Sequence, residues 1–394
     1  MARERIGIMG GTFNPIHMGH VAMAKEAARS ASLDRILMIP TGNPPHKSGI
    51  TPAEDRWRMT CAAVANEPQL TPCRMELDRA GVIYTVDTLS ELHRIYPEAD
   101  LFYIIGADTL MELKNWRQYE KVLTLCTFLV CPRTIKASPK ELADERARLE
   151  ALGGRFEYVA MRPVDVSSTE IREALLSGRH SDLLPDVCCE YAHAAGLYGL
   201  DRRIENGPAL LEHLWVVLSE KRFAHTLGVA WEARELALKH GVDPAQAELA
   251  GLLHDCAKCL PEERMRAICR ENGLTDDAAI LMNGNLMHSL AGAWLAEHEY
   301  GVTDPEVLHA IACHTMGEPD MSPLDMVVYL ADKIEPTRPP EKHVLMMRML
   351  AHDDLRKGML CSLQGTADYV RQRGNELHPL TAETLEWLNG QLEK

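Results

Sequence analysis

Residues 5–20 read RIGIMGGTFNPIHMGH. The first seven, RIGIMGG, form an apolar run that ends in Gly10 and Gly11. His17 and His20 then follow, three residues apart. A protein core needs neither a glycine pair nor paired imidazoles, so the stretch points to something bound from outside. The run predicts a first strand ending at the glycines, with the next helix beginning near Met18. Glycines there let backbone N–H groups come close to an anion, and a helix N-terminus offers unpaired N–H groups and partial positive charge. His17 and His20 can face the same phosphate, donating hydrogen bonds and stabilising charge that develops on phosphorus.

The pattern around this stretch repeats. Apolar runs RILMIP, LFYIIGAD, TFLVCPR and RFEYVAM alternate with helix-like segments such as HVAMAKEAARSAS, AEDRWRMTCAAVAN and TVDTLSELHRIY. Strand alternating with helix predicts a doubly wound α/β fold with a parallel sheet, in which ligands bind beyond the carboxyl ends of the strands. From about Gly207 the β-like runs stop. ALLEHLWVVL, HTLGVAWEARELALKH, AELAGLLHDCAKCL and SLAGAWLAEHEY carry apolar residues at helical spacing, so this half reads as all-α. The division expected is residues 1–200, a polar linker over 201–208 ending in Gly-Pro, and a helical domain over 209–394. The tail after about residue 375 reads as a terminal helix.

Composition narrows the partners. The 394 residues carry a formal net charge of −15, and 46% of them are hydrophobic. Lys and Arg number 23 against 26 Asp and Glu over residues 1–200, and 19 against 31 beyond. A nucleic-acid polymer is therefore not expected as a partner, whereas small nucleotides need only a few placed groups. No signal-peptide pattern and no bilayer-length apolar span is present. Eleven cysteines without a framework suit a reducing cytoplasm. Cys256 and Cys259 have redox or zinc spacing, but no second pair matches it, so they read as ordinary thiols on a helix.

GGTFNPIHMGH looks like the signature of the nucleotidylyltransferase superfamily, whose core is HxGH. VSSTEIREAL (166–175) is similar to the SSTxIR motif of that superfamily. PPHK (44–47), GAD (106–108) and NWRQYEKV (115–122) narrow the resemblance to bacterial nicotinate-nucleotide adenylyltransferases over residues 5–200. The resemblance implies adenylyl transfer from ATP to nicotinate mononucleotide, with Mg²⁺ travelling with the triphosphate. It implies that His17 and His20 contact the ATP phosphates and the transition state. Gly10, Gly11, Thr12, His46, Lys47, Ser168, Thr169 and Arg172 would complete the phosphate site. Asp108 would meet the nucleotide ribose or adenine, and Thr85 and Trp116 would hold the pyridine ring. Asn14 departs from the aspartate of many relatives, which predicts a changed hydrogen bond without loss of activity.

In the second half, His254 and Asp255 sit side by side inside the apolar run LAGLLHDCAKCL. An ionised carboxylate there is costly to bury unless a metal or partner compensates. Imidazole with carboxylate suits iron, manganese or zinc better than calcium. His213, His240, His298 and His309 read as surface or satisfied core residues. The order His225, His254–Asp255, His288, His314, Asp332 resembles the HD phosphohydrolase superfamily. The extra histidines suggest two metals: His225, His254, Asp255 and Asp332 around one, with Asp255 bridging to a second held by His288 and His314. HDCAK and VVYLADKIEPTR further resemble the symmetrical diadenosine tetraphosphate hydrolases over residues 210–375. That implies hydrolysis to two ADP, iron as the metal, and Lys258, Lys333 and Arg338 as phosphate contacts.

The combined reading is a bifunctional cytoplasmic nucleotide enzyme. Rival readings are a first domain that adenylylates another small substrate, such as phosphopantetheine, and an HD domain that acts on another nucleotide or serves as a nucleotide sensor. Sequence leaves the oligomeric state open.

Overall fold

A computed structural model describes residues 3–42, 49–133, 137–164, 166–177, 179, 182–374 and 376–392. The chain divides into two compact units. One comprises Met1–Cys188 with Leu197–Leu200, and the other Cys189–Gly196 with Asp201–Lys394.

The first unit is built on six strands: β1 (Arg5–Gly11), β2 (Arg35–Pro40), β3 (Leu70–Pro72), β4 (Asp100–Gly106), β5 (Thr127–Cys131) and β6 (Arg155–Tyr158). Their order is β3-β2-β1-β4-β5-β6, and every neighbouring pair is parallel. Ile6, Ile8, Leu37, Ile39, Ile105 and Val130 are buried in one core cluster. Strands covered on both faces read as continuous apolar runs, which is why β1, β2, β4 and β5 stand out in the sequence; β6, the fifth run, buries only Phe156. The sixth, β3, has three residues, ends in proline and pairs only with β2, too short to carry a period. The strand order reverses between β1 and β4, so the crevice at their carboxyl ends is the place for a ligand. The helix Met18–Ser30 starts at the residue expected.

All described elements from Asp186 onward are helical. Ser219, Asp243, Asp304 and Ser322 each accept a backbone N–H at a helix start, satisfying donors that the helix cannot. Gly207 and Pro208 open the helix Gly207–Val217 instead of closing a linker, since proline in a first turn gives up an N–H without an intrahelical partner. The tail forms the helix Pro379–Leu392. Cys256 and Cys259 stand in turns beyond the helix Pro244–Leu253 and not on it. All eleven cysteines are free thiols. Among the described residues, no helix is long and apolar enough to cross a membrane.

Candidate active sites

In the first unit, a cavity of about 540 Å³ is lined by Thr12, His17, His20, Arg133, Ser168, Thr169 and Arg172 with their neighbours. His17 caps the helix Met18–Ser30, and its Nδ1 is buried without a hydrogen-bond partner. Burial, and then the Arg133 guanidinium, lower its pKa to about 4, so the ring is neutral at physiological pH. The His17 N–H donates to Nδ1 of His20 at 3.2 Å, which places the His20 proton on Nε2. The two rings stack with centroids 3.6 Å apart. Gly19 makes this packing possible, because a Cβ there would lie 2.6 Å from Val166 and 3.0 Å from the His17 ring.

The second motif supplies another helix start beside the first. Ser167 and Glu170 exchange hydrogen bonds in a capping box at the head of the helix Ser168–Leu176. Ser168 Oγ donates to the Pro15 carbonyl at 3.0 Å. Arg172 donates to the Asn14 carbonyl at 2.7 Å and to Thr169 Oγ1 at 3.2 Å. These bonds tie two motifs that are 153 residues apart in the chain. The Asn14 side chain accepts from the Thr51 N–H at 3.3 Å.

Gly10 and Gly11 lie within β1, where their lack of side chains makes room for neighbouring rings. A Cβ on Gly10 would meet the Tyr103 hydroxyl at 2.5 Å, and one on Gly11 the Phe13 ring at 2.7 Å. Asp108, in the first turn of the helix Ala107–Glu112, pairs with Arg133 at 3.5 Å. Thr85 begins the helix Thr85–Ile95 and hydrogen-bonds Tyr103. The Trp116 ring stands edge-on to Tyr103 at 5.8 Å, partly buried against the core. His46 and Lys47 lie outside the described residues. Arg133 was not singled out from sequence. Its signal was a cation just past the end of an apolar strand, in TFLVCPR.

In the second unit, five helices or their ends bring His225, His254, Asp255, His288, His314 and Asp332 together, all buried. His254 and His314 sit at helix C-termini rather than inside helices, and Asp255 lies in the turn beyond. This placement fixes their chemistry. Each ring bonds the carbonyl three residues back through Nδ1, Gly251 for His254 and Ile311 for His314, both at 2.7 Å. Nε2 is thereby left as a lone pair facing inward. His225 Nδ1 meets the buried Glu335 at 3.0 Å in the same way.

The inward atoms converge. His225 Nε2 lies 3.1 Å from Asp332 Oδ1 and 3.7 Å from Asp255 Oδ2, and His254 Nε2 is 3.4 Å from Asp255 Oδ2. On the other side, His288 Nε2 lies 3.2 Å from Asp255 Oδ1 and 3.2 Å from His314 Nε2. Asp255 thus presents one oxygen to each group. The Nε2 atoms of His225 and His254 are buried without a hydrogen-bond partner. Lone pairs facing carboxylates at this range call for a proton or a metal ion between them, and the imidazole–carboxylate donor set fits a metal.

Burial raises the Asp255 pKa, but the His254 and His288 imidazoles outweigh it and hold the carboxyl well below its ordinary range. Burial, then His254 and His288, keep His314 neutral by pushing its pKa well down. Three cations line these groups. Lys258 is 3.2 Å from His288 Nδ1, Lys333 is 2.6 Å from Asp332 Oδ2, and Arg338 is 3.0 Å from Asp332 Oδ1. Two members escaped the sequence reading: Arg222, 2.5 Å from Asp255, and Glu335. Arg222 precedes His225 by three on one helix, so it shares that face.

A parallel sheet with an HxGH turn at its switch point, followed by helices that converge histidines and aspartates, defines a two-part nucleotide-handling protein. A cytidylyltransferase-like family model matches residues 8–174, and an HD-domain model matches residues 222–337. Two relatives span both parts. A Mycoplasma pneumoniae protein named "Probable nicotinate-nucleotide adenylyltransferase/Ap4A hydrolase" is 30% identical over 92% of this chain and 98% of its own. A Mycoplasma genitalium protein of the same name is 27% identical over 94% of this chain and 99% of its own. A Clostridium acetobutylicum crystal structure, a "predicted HD superfamily hydrolase involved in NAD metabolism", is 39% identical. It covers 48% of this chain and 99% of its own, with a TM-score of 0.46. The chain belongs to the family of fused nicotinate-nucleotide adenylyltransferase/Ap4A hydrolases.

Proposed function

We propose that the first unit transfers the adenylyl group of ATP to nicotinate mononucleotide, and that the second hydrolyses diadenosine tetraphosphate to two ADP. The names of the full-length relatives support both halves. In the first reaction, a phosphate oxygen of the mononucleotide attacks the α-phosphorus of ATP. The bond from that phosphorus to the bridging oxygen breaks, and pyrophosphate leaves with the electron pair, giving nicotinate adenine dinucleotide. No covalent enzyme intermediate forms, so positioning and charge stabilisation carry the step.

The observation that carries this reading is the meeting of two helix starts, a neutral His17 and a His20 of fixed tautomer at one cavity. His20 offers an Nε2–H to the phosphates, and neutral His17 accepts or donates without repelling a metal carried by ATP. Thr12, Ser168, Thr169, Arg172 and Arg133 surround the triphosphate, Mg²⁺ arrives with ATP, and His46 and Lys47 are assigned their added positive charge from the motif resemblance alone. Gly10 and Gly11 keep the strand end slim, Asp108 takes the ribose or adenine, and Thr85 and Trp116 hold the pyridine.

In the second unit, His225, His254, Asp255 and Asp332 would hold one metal, and Asp255, His288 and His314 a second, with iron the proposed ion. Such a pair lowers the pKa of water and neutralises phosphate charge when bound. The chain keeps the ring lone pairs aimed inward through backbone carbonyls and Glu335. Arg222, Lys258, Lys333 and Arg338 supply the cations that meet phosphate oxygens. Water adds to a β-phosphorus, the bond to the central bridging oxygen breaks, and each half departs as ADP.

The test uses the intact chain with His20→Ala and His254→Ala. The first variant should lose dinucleotide synthesis and keep release of ADP from diadenosine tetraphosphate, and the second should do the reverse. Loss of both activities in either variant, or of neither, would overturn the assignment. Metal analysis of the purified protein checks iron.

A further inference from the structure

One cluster of ligand-type side chains lies outside both sites. His309 and Cys313 are four residues apart on the helix Pro305–Cys313, so they share a face. Asp325 comes from the first turn of the helix Pro323–Ile334. One donor atom from each of the three lies within 4.8 Å of the others. The arrangement sets His309 apart from an ordinary surface histidine.

Each donor is oriented by a neighbour. His309 Nδ1 is 3.0 Å from Asp325 Oδ1, while its Nε2 is 2.6 Å from Glu318 Oε1. A carboxylate on the far nitrogen of a histidine is the usual support of a metal-bound ring. Asp325 is buried, and its Oδ2 accepts the Ser322 N–H at 2.8 Å, which aims Oδ1 at the cluster. Cys313 is buried, with Sγ beside Asp325 and 3.8 Å from the Ala310 carbonyl. Imidazole and thiol thus converge on one buried carboxylate, that of Asp325.

We propose that His309, Cys313 and Asp325 form a mononuclear site for a borderline-soft divalent ion of the zinc class, separate from the HD centre. Thiolate, imidazole and carboxylate together match that class. On binding, the Cys313 thiol gives its proton to solvent and sulfur bonds the ion. His309 and Glu318 are part-exposed, so the fourth position opens to water and the ion can enter. The ion would anchor the end of the helix that presents His314, the residue after Cys313, to the inner centre.

The probe is cobalt(II) added to the full-length protein after metal removal. The six side chains of the inner centre include no sulfur, so sulfur-to-cobalt charge transfer in the near ultraviolet excludes that centre, and Cys313→Ser separates the outer site from the other free thiols. The band should reach the amplitude of one cobalt per chain, vanish in Cys313→Ser and be displaced by zinc. His309→Ala changes a half-exposed side chain, so it keeps the test valid should the cysteine variant misfold. There cobalt affinity should fall at least tenfold. Absence of the band in the wild-type protein, or a band unchanged in His309→Ala, overturns the site.

Discussion

Glu335 is the place to test whether groups behind the ligands govern the HD centre. It is 1% exposed, and its Oε1 meets His225 Nδ1 at 3.0 Å and accepts from Thr337 Oγ1 at 2.7 Å. Its Oε2 accepts from the Thr337 N–H at 2.5 Å. Glu335→Gln keeps the size but replaces one oxygen with an amide nitrogen. With the remaining oxygen turned to His225, the new NH₂ faces the Thr337 N–H, donor against donor. One buried unsatisfied donor costs about 1–3 kcal/mol. With the amide turned the other way, the His225 Nδ1–H loses its acceptor and Nε2 loses basicity. Loss of such a partner lowers metal affinity about 10–100-fold, or roughly 1.4–2.7 kcal/mol. The assay is competition against a chromogenic chelator, with hydrolysis of diadenosine tetraphosphate followed at saturating metal. Dinucleotide synthesis by the same molecule serves as the internal control and should not change. Metal affinity within twofold of wild type, with the helical unit no less stable in denaturant titration, would refute the idea that Glu335 sets the His225 ring.

Arg133→Gln removes the cation between His17 and Asp108, and kcat/KM for ATP should fall about 10–100-fold, the worth of one or two charge-assisted contacts. A KM for ATP at the wild-type value would argue against phosphate contact. The His17 ring should titrate at about 4 by NMR, and a midpoint near 6.5 would contradict its burial. Because the unfolded ring takes up its proton first, His17 lowers stability as pH falls from about 6.5 towards 4 and costs nothing above that window. Gly251→Ala would press a Cβ to 2.9 Å from Ala230 Cα and 3.0 Å from the Val229 carbonyl. It should destabilise the helical unit by about 1–3 kcal/mol in denaturant titration and reduce hydrolysis, because Gly251 also anchors His254.

Long buried strands and the two histidine motifs were readable in the sequence because each repeats a pattern that physics imposes. β1 advertises both its burial and its end, and Met18 follows at once. The end of the helix at Leu253 was not readable, since LAGLLHDCAKCL has no glycine or proline at the break and the next proline, Pro261, comes eight residues later. Only in the fold does it emerge that His254 escapes the helix and bonds the Gly251 carbonyl. Arg222, Arg133 and Glu335 were missed for a common reason: a charge on a helix or beyond a strand looks solvated until its neighbours are known. Gly228 carried a faint trace of Glu335, because a Cβ there would lie 2.4 Å from its Oε2. The reach of Ser168 and Arg172 back to Pro15 and Asn14 is a tertiary fact that no local period encodes.

The path of the chain between its two bodies has a practical outcome. Residues Cys189–Gly196 fold with the later body, Leu197–Leu200 go back to the earlier one, and Asp201 leaves again. Tyr191 packs edge-on to Phe223 at 6.3 Å, and Glu190 sits fully buried 3.6 Å from Arg203. A protease nick after residue 200 would strand Tyr191 and Glu190 on the wrong fragment, stripped of the partners that cover them. Neither unit can therefore be released whole by cutting one peptide bond.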